Sequence, residues 1–346
     1  MKILIDLSIL KNVNCGLGQV ALNYGYYFRD TYVPQQGEDI YLLVPKDYAG
    51  AFGDKVHYVQ AKKIYRIFPW LIGKRFDVWH AIHQLSRYQP FCKRYVLTIH
   101  DFNFVYEKTG KRVQQYLDKV QKKADKADTI VCISEFAKSE TEKYLRLNGK
   151  PVQVVYNGIE RIDLLQEQQP ASVCTSTPYL FTIGECKEKK NFHVLLDMMK
   201  SLPQYQLYIA GRDTTPYADM IRRRIQDEQI KNVHLPGMVS QAEKVWLYRH
   251  CTAFVFPSLF EGFGLPVVEA MLFRKPVICS RETSLVEIGG KYVRFFEEGY
   301  PAEASAQLIQ NTIDTYTHEE QEAAWQYATS FSWKNHVEAY LRIYRK

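Results

Sequence analysis

Glu261 and Glu269 flank the loop of Phe256-Pro257-Ser258-Leu259-Phe260-Glu261-Gly262-Phe263-Gly264-Leu265-Pro266-Val267-Val268-Glu269-Ala270. An apolar strand, Ala253 to Phe256, runs into that glycine-bearing loop. The loop opens a helix that carries Pro266 in its first turn, where a missing amide proton does no harm. The amides of Phe263, Gly264 and Leu265 are then expected to face outward at the positive end of the helix, which attracts phosphate. A carboxylate on either side of an anion cradle suits a ligand with phosphates in its middle and hydroxyls at both ends, the shape of a nucleotide sugar. The competing reading is the strand-loop-helix of any doubly wound domain, with both glutamates solvated.

A second group is Gly184-Glu185-Cys186-Lys187-Glu188-Lys189-Lys190-Asn191, after another apolar run. Cations at a helix start oppose the helix dipole, and an anionic ligand would account for the exception. A solvated lysine cluster is the alternative. Thr98-Ile99-His100-Asp101 places a histidine at a strand end. Gly16-Leu17-Gly18-Gln19 stands between the first strand and the first helix, where glycines let backbone approach a ligand. As a dinucleotide fingerprint G-L-G-Q-V-A fails twice. Its first glycine lies nine residues beyond Leu7, and Leu43-Val44-Pro45-Lys46 ends the next strand without an acid.

Taken together, these segments resemble the E-x7-E signature of retaining family-four glycosyltransferases (group 1), over nearly the whole chain. The resemblance implies a GT-B fold: two doubly wound Rossmann-like α/β domains facing across a cleft, with a C-terminal helix crossing back to the first. It implies that Glu269 binds the ribose hydroxyls and Glu261 the donor sugar. Lys189 and Lys190 would hold the diphosphate, Glu185 standing where many relatives have arginine. His100 would contact the sugar near the reacting carbon. Catalytic roles thus fall to His100, Glu261 and Lys190. Donor binding adds Gly16, Gly18, Gly184, Lys189, Val239, Phe263, Gly264, Leu265 and Glu269. Val239 lies in Gly237-Met238-Val239-Ser240, which resembles the loop whose backbone meets the donor base. No metal and no cofactor are implied beyond the donor, a UDP- or GDP-sugar. Asn157-Gly158 resembles the family's hinge, with Tyr156 in place of proline. Glu287 follows Leu285-Val286 where relatives often read proline-glutamate.

Three other readings stay open. A nucleotide-sugar epimerase has the same architecture, and a nucleotide-sugar-binding protein that has lost catalysis would keep the donor site. A nicotinamide-dependent dehydrogenase is disfavoured by the failed fingerprint. His80-Ala81-Ile82-His83 has H-x-x-H spacing at a strand end, where the rings do not share a helical face, so zinc is not expected there.

The elements that position these residues alternate strand and helix. Strands are expected at Lys2–Leu7, Ile40–Val44, Asp77–Ala81, Tyr95–Ile99, Thr129–Ile133 and Val152–Tyr156, then at Tyr179–Ile183, Gln206–Ala210, Val233–Leu235, Ala253–Phe256 and Pro276–Cys279. Helices are expected at Leu17–Arg29, Gly110–Lys126 and Glu135–Leu147 (capped by Ser134), then at Asn191–Lys200, Tyr217–Gln229, Gln241–Arg249 and Leu265–Phe273. This order argues for parallel sheets covered on both faces. The expected domains are 1–161 on the acceptor side, a polar linker at 162–178, and 179–330 for the nucleotide sugar. At 331–346 follows a helix with Trp333, Val337, Leu341 and Tyr344 on one stripe.

A chain of 346 residues suits two cores. Its seven scattered cysteines lack C-x-x-C spacing and fit a reducing cytoplasm. Residues 1–160 hold 24 Lys and Arg against 16 Asp and Glu, so the net charge of +7 originates in the first half. That surplus suits an anionic acceptor, an anionic membrane face or nucleic acid, against a merely solvated face. With the resemblance, the expected partners are a nucleotide-sugar donor and a glycan or lipid-linked acceptor, not nucleic acid. Peripheral contact with the inner membrane face is the further reading of Lys62–Phe76, which mixes basic and bulky apolar residues. An amphipathic core element competes with it. Lys119, Lys122, Lys123 and Lys126 read as a mostly solvated helical run.

Overall fold

In the computed structural model, which describes residues 1–13, 16–73, 75–173 and 176–346, the chain divides into two compact units. Unit one is Met1–Glu160 with Phe331–Lys346, and unit two is Arg161–Ser330. Cys15 and Cys174, two of the seven cysteines, and Lys74, within Lys62–Phe76, lie outside the described residues.

Unit one runs β1 (Lys2–Asp6), α1 (Gly16–Asp30), β2 (Asp39–Val44), β3 (His57–Gln60), β4 (Phe76–Ala81) and β5 (Cys92–Ile99). It continues with α2 (Asn103–Glu107), α3 (Lys111–Lys126), β6 (Thr129–Cys132), α4 (Glu135–Tyr144) and β7 (Val152–Val154). The seven strands pair in parallel in the order β3-β2-β1-β4-β5-β6-β7. Ile3, Leu4 and Ile5 of β1 are all fully buried, because helices or loops cover both faces of the sheet. The Ser134 hydroxyl accepts from the Ala137 amide at 3.0 Å and so starts α4 where expected.

Unit two runs β8 (Tyr179–Ile183), α5 (His193–Lys200), β9 (Gln206–Ala210), α6 (Pro216–Asp227), β10 (Val233–Gly237), α7 (Gln241–His250) and β11 (Ala253–Phe256). Then come α8 (Leu265–Leu272), β12 (Val277–Cys279), α9 (Ser284–Gly289), β13 (Arg294–Phe295), α10 (Ala302–Thr315) and α11 (His318–Ser330). Its parallel order is β10-β9-β8-β11-β12-β13. Strand order reverses at β1/β4 in unit one and at β8/β11 in unit two. In such sheets ligands bind at that reversal, beyond the carboxyl ends of the strands.

In segment 162–178, expected as a linker, residues 162–173 pack on unit two instead. Ile162 and Val173 are buried, the Gln168 amide donates to the Ala242 carbonyl at 3.0 Å, and Arg249 donates to the Asp163 carbonyl at 2.9 Å. Its apolar side chains outweigh the Gln-rich composition that made it look like a tether.

The last helix, α12 (Trp333–Arg345), belongs to unit one. Val337, Leu341 and Tyr344 are buried as the stripe required, and so are His336 and Tyr340. A polar network lies beneath them. Tyr344 donates its hydroxyl proton to His80 Nδ1 or accepts one from it, at 2.6 Å, and His80 Nε2 meets Thr98 Oγ1 at 2.8 Å. Tyr340 meets the same Thr98 oxygen at 2.7 Å and stacks on the His80 ring, centroids 4.6 Å apart. His336 Nδ1 lies 2.7 Å from the Tyr156 carbonyl, which only accepts, so that nitrogen carries the proton; Nε2 then accepts from Tyr24 at 3.0 Å. Burial pushes His80 well below the ordinary histidine range and His336 down to about 4, so both rings are neutral.

Candidate functional site

The two loops at the strand reversal of unit two carry the main constellation. After β8, Gly184 leads into a short 3-10 turn, Glu188–Lys190, which ends on Asn191 in the left-handed conformation (φ 55°). α5 starts only at His193. Lys189 and Lys190 therefore close a separate turn and do not stand in the first turn of α5, so the dipole argument made from sequence does not apply. After β11, the Leu259 amide donates to the Lys189 carbonyl at 2.7 Å. The loops are thus tied to each other through backbone.

That tie sets Lys190 against Glu261. The ammonium donates to Glu261 Oε1 and lies 4.9 Å from the centre of the Phe256 ring. Both side chains are mostly buried, at 12% and 15% exposure, so water screens the pair weakly. Ser258 donates to the same carboxylate oxygen at 2.7 Å. The Glu261 backbone is pinned as well: its amide donates to Thr283 Oγ1 at 3.1 Å, and its carbonyl accepts from Ser284 Oγ at 2.9 Å. A Cβ on Gly184 would press on Lys190 Cε at 3.1 Å, so this glycine leaves room for the lysine stem.

Downstream in the loop, Gly264 is the N-cap of α8 with φ 95°, a left-handed conformation that disfavours any side chain. A Cβ there would also meet Leu285 Cδ2 at 2.5 Å. The Phe263 side chain is buried and anchors the turn. The Gly264 and Leu265 amides have no acceptor within the protein among the described residues, and Pro266 supplies no donor. These two amides are the orphan donors of the helix start.

Glu269, one turn into α8, is held from α7. Lys244 Nζ donates to Oε1 at 2.8 Å, and the Tyr248 hydroxyl donates to Oε2 at 2.9 Å. Each oxygen keeps a lone pair for another donor. Sequence reasoning missed Lys244 and Tyr248. Their signal was the four-residue spacing on one helical face. Ser258, Thr283 and Ser284 were also missed, since nothing in their spacing points at Glu261.

Val239 is half-buried in the loop after β10, between exposed Met238 and Ser240, whose side chain starts α7 in a reciprocal cap with Glu243. Gly211 (φ 123°) closes the neighbouring strand end, where a Cβ would strike the Gly184 carbonyl oxygen.

In unit one, His100 follows β5 and is buried, with Nε2 2.8 Å from the Ile82 carbonyl. That carbonyl accepts only, so Nε2 carries the proton and Nδ1 presents a lone pair. Burial lowers its pKa to about 3, so the ring stays uncharged at neutral pH. Gly16 and Gly18 were expected in a ligand-facing loop, but α1 already begins at Gly16. Gly18 is buried against its own chain, a Cβ there meeting the Asn12 carbonyl oxygen at 2.1 Å, so it serves helix packing. Gly16 is exposed with open space around it. His83 accepts from the Leu85 amide at 3.2 Å, and both His80 nitrogens are engaged, so the H-x-x-H pair is part of the framework.

In Lys62–Phe76, Ile64, Ile67, Phe68, Trp70 and Leu71 are exposed, which goes against a core role for these side chains. Among the described residues no helix is long and apolar enough to cross a membrane.

Two families match the chain: Glycosyl transferases group 1 over residues 166–330, and Glycosyltransferase Family 4 over residues 30–161. O-antigen chain mannosyltransferase B of Escherichia coli is 27% identical over 290 residues, 77% of this chain and 74% of that protein. O-antigen chain mannosyltransferase RfbU of Salmonella typhimurium is 24% identical, over 80% and 81%. Among solved structures, Anabaena HepE in complex with UDP and glucose superposes over the full length of both chains with a TM-score of 0.75 at 16% identity. That likeness is one of fold.

Proposed function

The chain belongs to the group 1 glycosyl transferases of GT-B fold, and on that premise we propose that it moves a sugar from a nucleoside diphosphate sugar to a glycan or lipid-linked glycan, with retention at the anomeric carbon. The O-antigen mannosyltransferases it is similar to support a place in cell-surface polysaccharide synthesis. The observation that carries the reading is the Lys190–Glu261 pair at the β8/β11 strand reversal, with Glu261 in the same loop as the orphan amides of Gly264 and Leu265.

In this reading the donor diphosphate draws Lys190 away from Glu261. One event then supplies a cation to the phosphate and frees a carboxylate for sugar hydroxyls. Lys189, Lys190 and the two amides stabilise the charge that grows on the leaving diphosphate, the kind of preorganised electrostatics that dominates such accelerations. These groups stand in for a divalent ion, so the reaction is proposed to need none. Glu269, aimed by Lys244 and Tyr248, accepts from the ribose hydroxyls, and the Val239 loop meets the base. His100 accepts a sugar hydroxyl proton at Nδ1 as a hydrogen-bond partner. The acceptor oxygen bonds the anomeric carbon on the face the diphosphate leaves, and its proton passes to the leaving phosphate oxygen. The buried thiols of Cys132, Cys186, Cys251 and Cys279 suit the cytoplasm.

A thermal-shift panel of UDP-, GDP-, ADP- and TDP-sugars tests the reading, since a ligand of the folded state raises the melting temperature. One nucleotide series should stabilise the protein, and Glu269→Ala should reduce that shift. NMR of the donor incubated alone should show no epimer. No stabilisation by any of the four, or epimerisation without acceptor, would count against it.

A further inference from the structure

The helical lysine run of α3 is not evenly solvated. Lys119, Lys122, Lys123 and Lys126 recur at the spacing of one helical face, and that face lines a cavity of about 650 Å³ in unit one. Arg87 faces them from the segment between β4 and β5. Asp125 is the one carboxylate among the described lining residues, and its Oδ1 already accepts from Gln121 at 2.7 Å. Among the described residues none of the five cations forms a salt bridge, and the buried Asp6 carboxylate acts on Lys123 only through its charge. Lys119 lies over the Tyr116 ring at 4.9 Å, Lys126 donates to Gln89 Oε1 at 3.2 Å, and buried Lys123 donates to the Tyr88 carbonyl. Burial lowers the Lys123 pKa to about 8, a cost that an anion in the cavity would offset.

Tyr88 links this cavity to a second feature. The Arg66 guanidinium sits 5.4 Å from the centre of its ring. Arg66 belongs to the 3-10 turn Lys63–Arg66, and a second turn, Pro69–Ile72, follows. The second turn and the two residues before it expose Ile67, Phe68, Trp70 and Leu71, with Phe68 and Trp70 in edge contact at 5.3 Å. A cluster of large exposed apolar side chains marks an interaction surface. A cation-lined hollow beside an apolar ledge is complementary to an amphiphile with a phosphate head.

We propose that this cavity is an acceptor-side site for the phosphate or diphosphate head of a lipid-linked substrate, whose hydrocarbon chain lies on the ledge of Ile67, Phe68, Trp70 and Leu71. The inference rests on the transferase reading and specifies its acceptor class. A hollow with cations converging from two segments favours a discrete head group over the diffuse charge of a bilayer surface.

Isothermal titration with a soluble short-chain prenyl diphosphate tests it, against inorganic pyrophosphate and against phosphatidylglycerol vesicles. The wild-type protein should bind the prenyl diphosphate more tightly than pyrophosphate. Lys119→Glu/Lys122→Glu, at exposed positions, should weaken it roughly tenfold or more, and Lys119→Arg/Lys122→Arg should retain it. Ile67→Ser/Trp70→Ser should weaken the prenyl diphosphate and leave pyrophosphate unchanged. Nucleotide-sugar stabilisation should persist in all three variants, which separates failure here from failure of the donor reading. Equal binding by wild type and the Glu variant, equal affinity for pyrophosphate and prenyl diphosphate, or binding to vesicles alone would overturn the proposal.

Discussion

Both units hold polar side chains in the layers around a parallel sheet, yet they treat them in opposite ways. In unit one His80 and His336 are buried, neutral and closed on both ring nitrogens into hydrogen bonds with Thr98, Tyr344, Tyr24 and the Tyr156 carbonyl, while His100 is buried and neutral with Nε2 on the Ile82 carbonyl. In unit two Lys190 with Glu261, and Lys244 with Glu269, keep 12% to 18% exposure and hold each other in ion pairs. A buried neutral network fixes shape, because breaking it strands an unpaired group. A partly wet ion pair can be exchanged for a ligand at modest cost. The difference teaches that residue type and strand-end position do not mark a site. What marks it is whether the present partner is one that a substrate can replace.

Acid should separate the units most strongly. Above pH 6.5 an unfolded histidine and these buried ones are all neutral, and stability does not change on their account. Below 6.5 the unfolded chain takes up protons that the folded chain refuses, so stability falls towards the folded pKa values of about 4 for His336 and about 3 for His100. By pH 4 the loss is about 3 kcal/mol for each of the two rings. Hydrogen exchange, corrected for intrinsic rates, should show β4, β5 and α12 losing protection by pH 4.5 well before β8 and β11. Equal loss in both units would erase the contrast.

Substitutions sharpen it further. Glu261→Gln should lower kcat about a hundredfold or more, as loss of a charged group beside the reacting centre does, with little change in melting temperature. Glu269→Ala should weaken nucleotide binding roughly tenfold to a hundredfold, measured by titration calorimetry, by removing charge-assisted acceptors. Tyr344→Phe, smallest of these, leaves His80 Nδ1 unpaired and should cost about 1–3 kcal/mol in urea unfolding. It should leave nucleotide affinity untouched.

Much of this was legible in the sequence. β8, β9 and β11 have the expected boundaries because each is an apolar run closed by glycine, proline or polar residues. β3 escaped because His57–Gln60 is an edge strand with exposed ends and no apolar run. β13, two residues long, carries no pattern at all. At the site, the glutamates and lysines stood out through their spacing around glycines. Lys244 and Tyr248 did not, since their meaning depends on α7 packing beside α8. Gly18 looked like ligand-facing backbone, and only the packing of α1 on Asn12 reveals its use. The α3 lysines read as solvent-facing because a helix sequence does not reveal a cavity across from it.

The central claim is that Lys190 acts on the leaving diphosphate and does more than shape the loop. Single-turnover transfer by Lys190→Ala, with donor affinity measured on the same protein, tests it most directly. The account predicts that the chemical step slows about a hundredfold or more, while donor affinity falls less than that. A variant that binds its donor and transfers sugar at the wild-type single-turnover rate would contradict it.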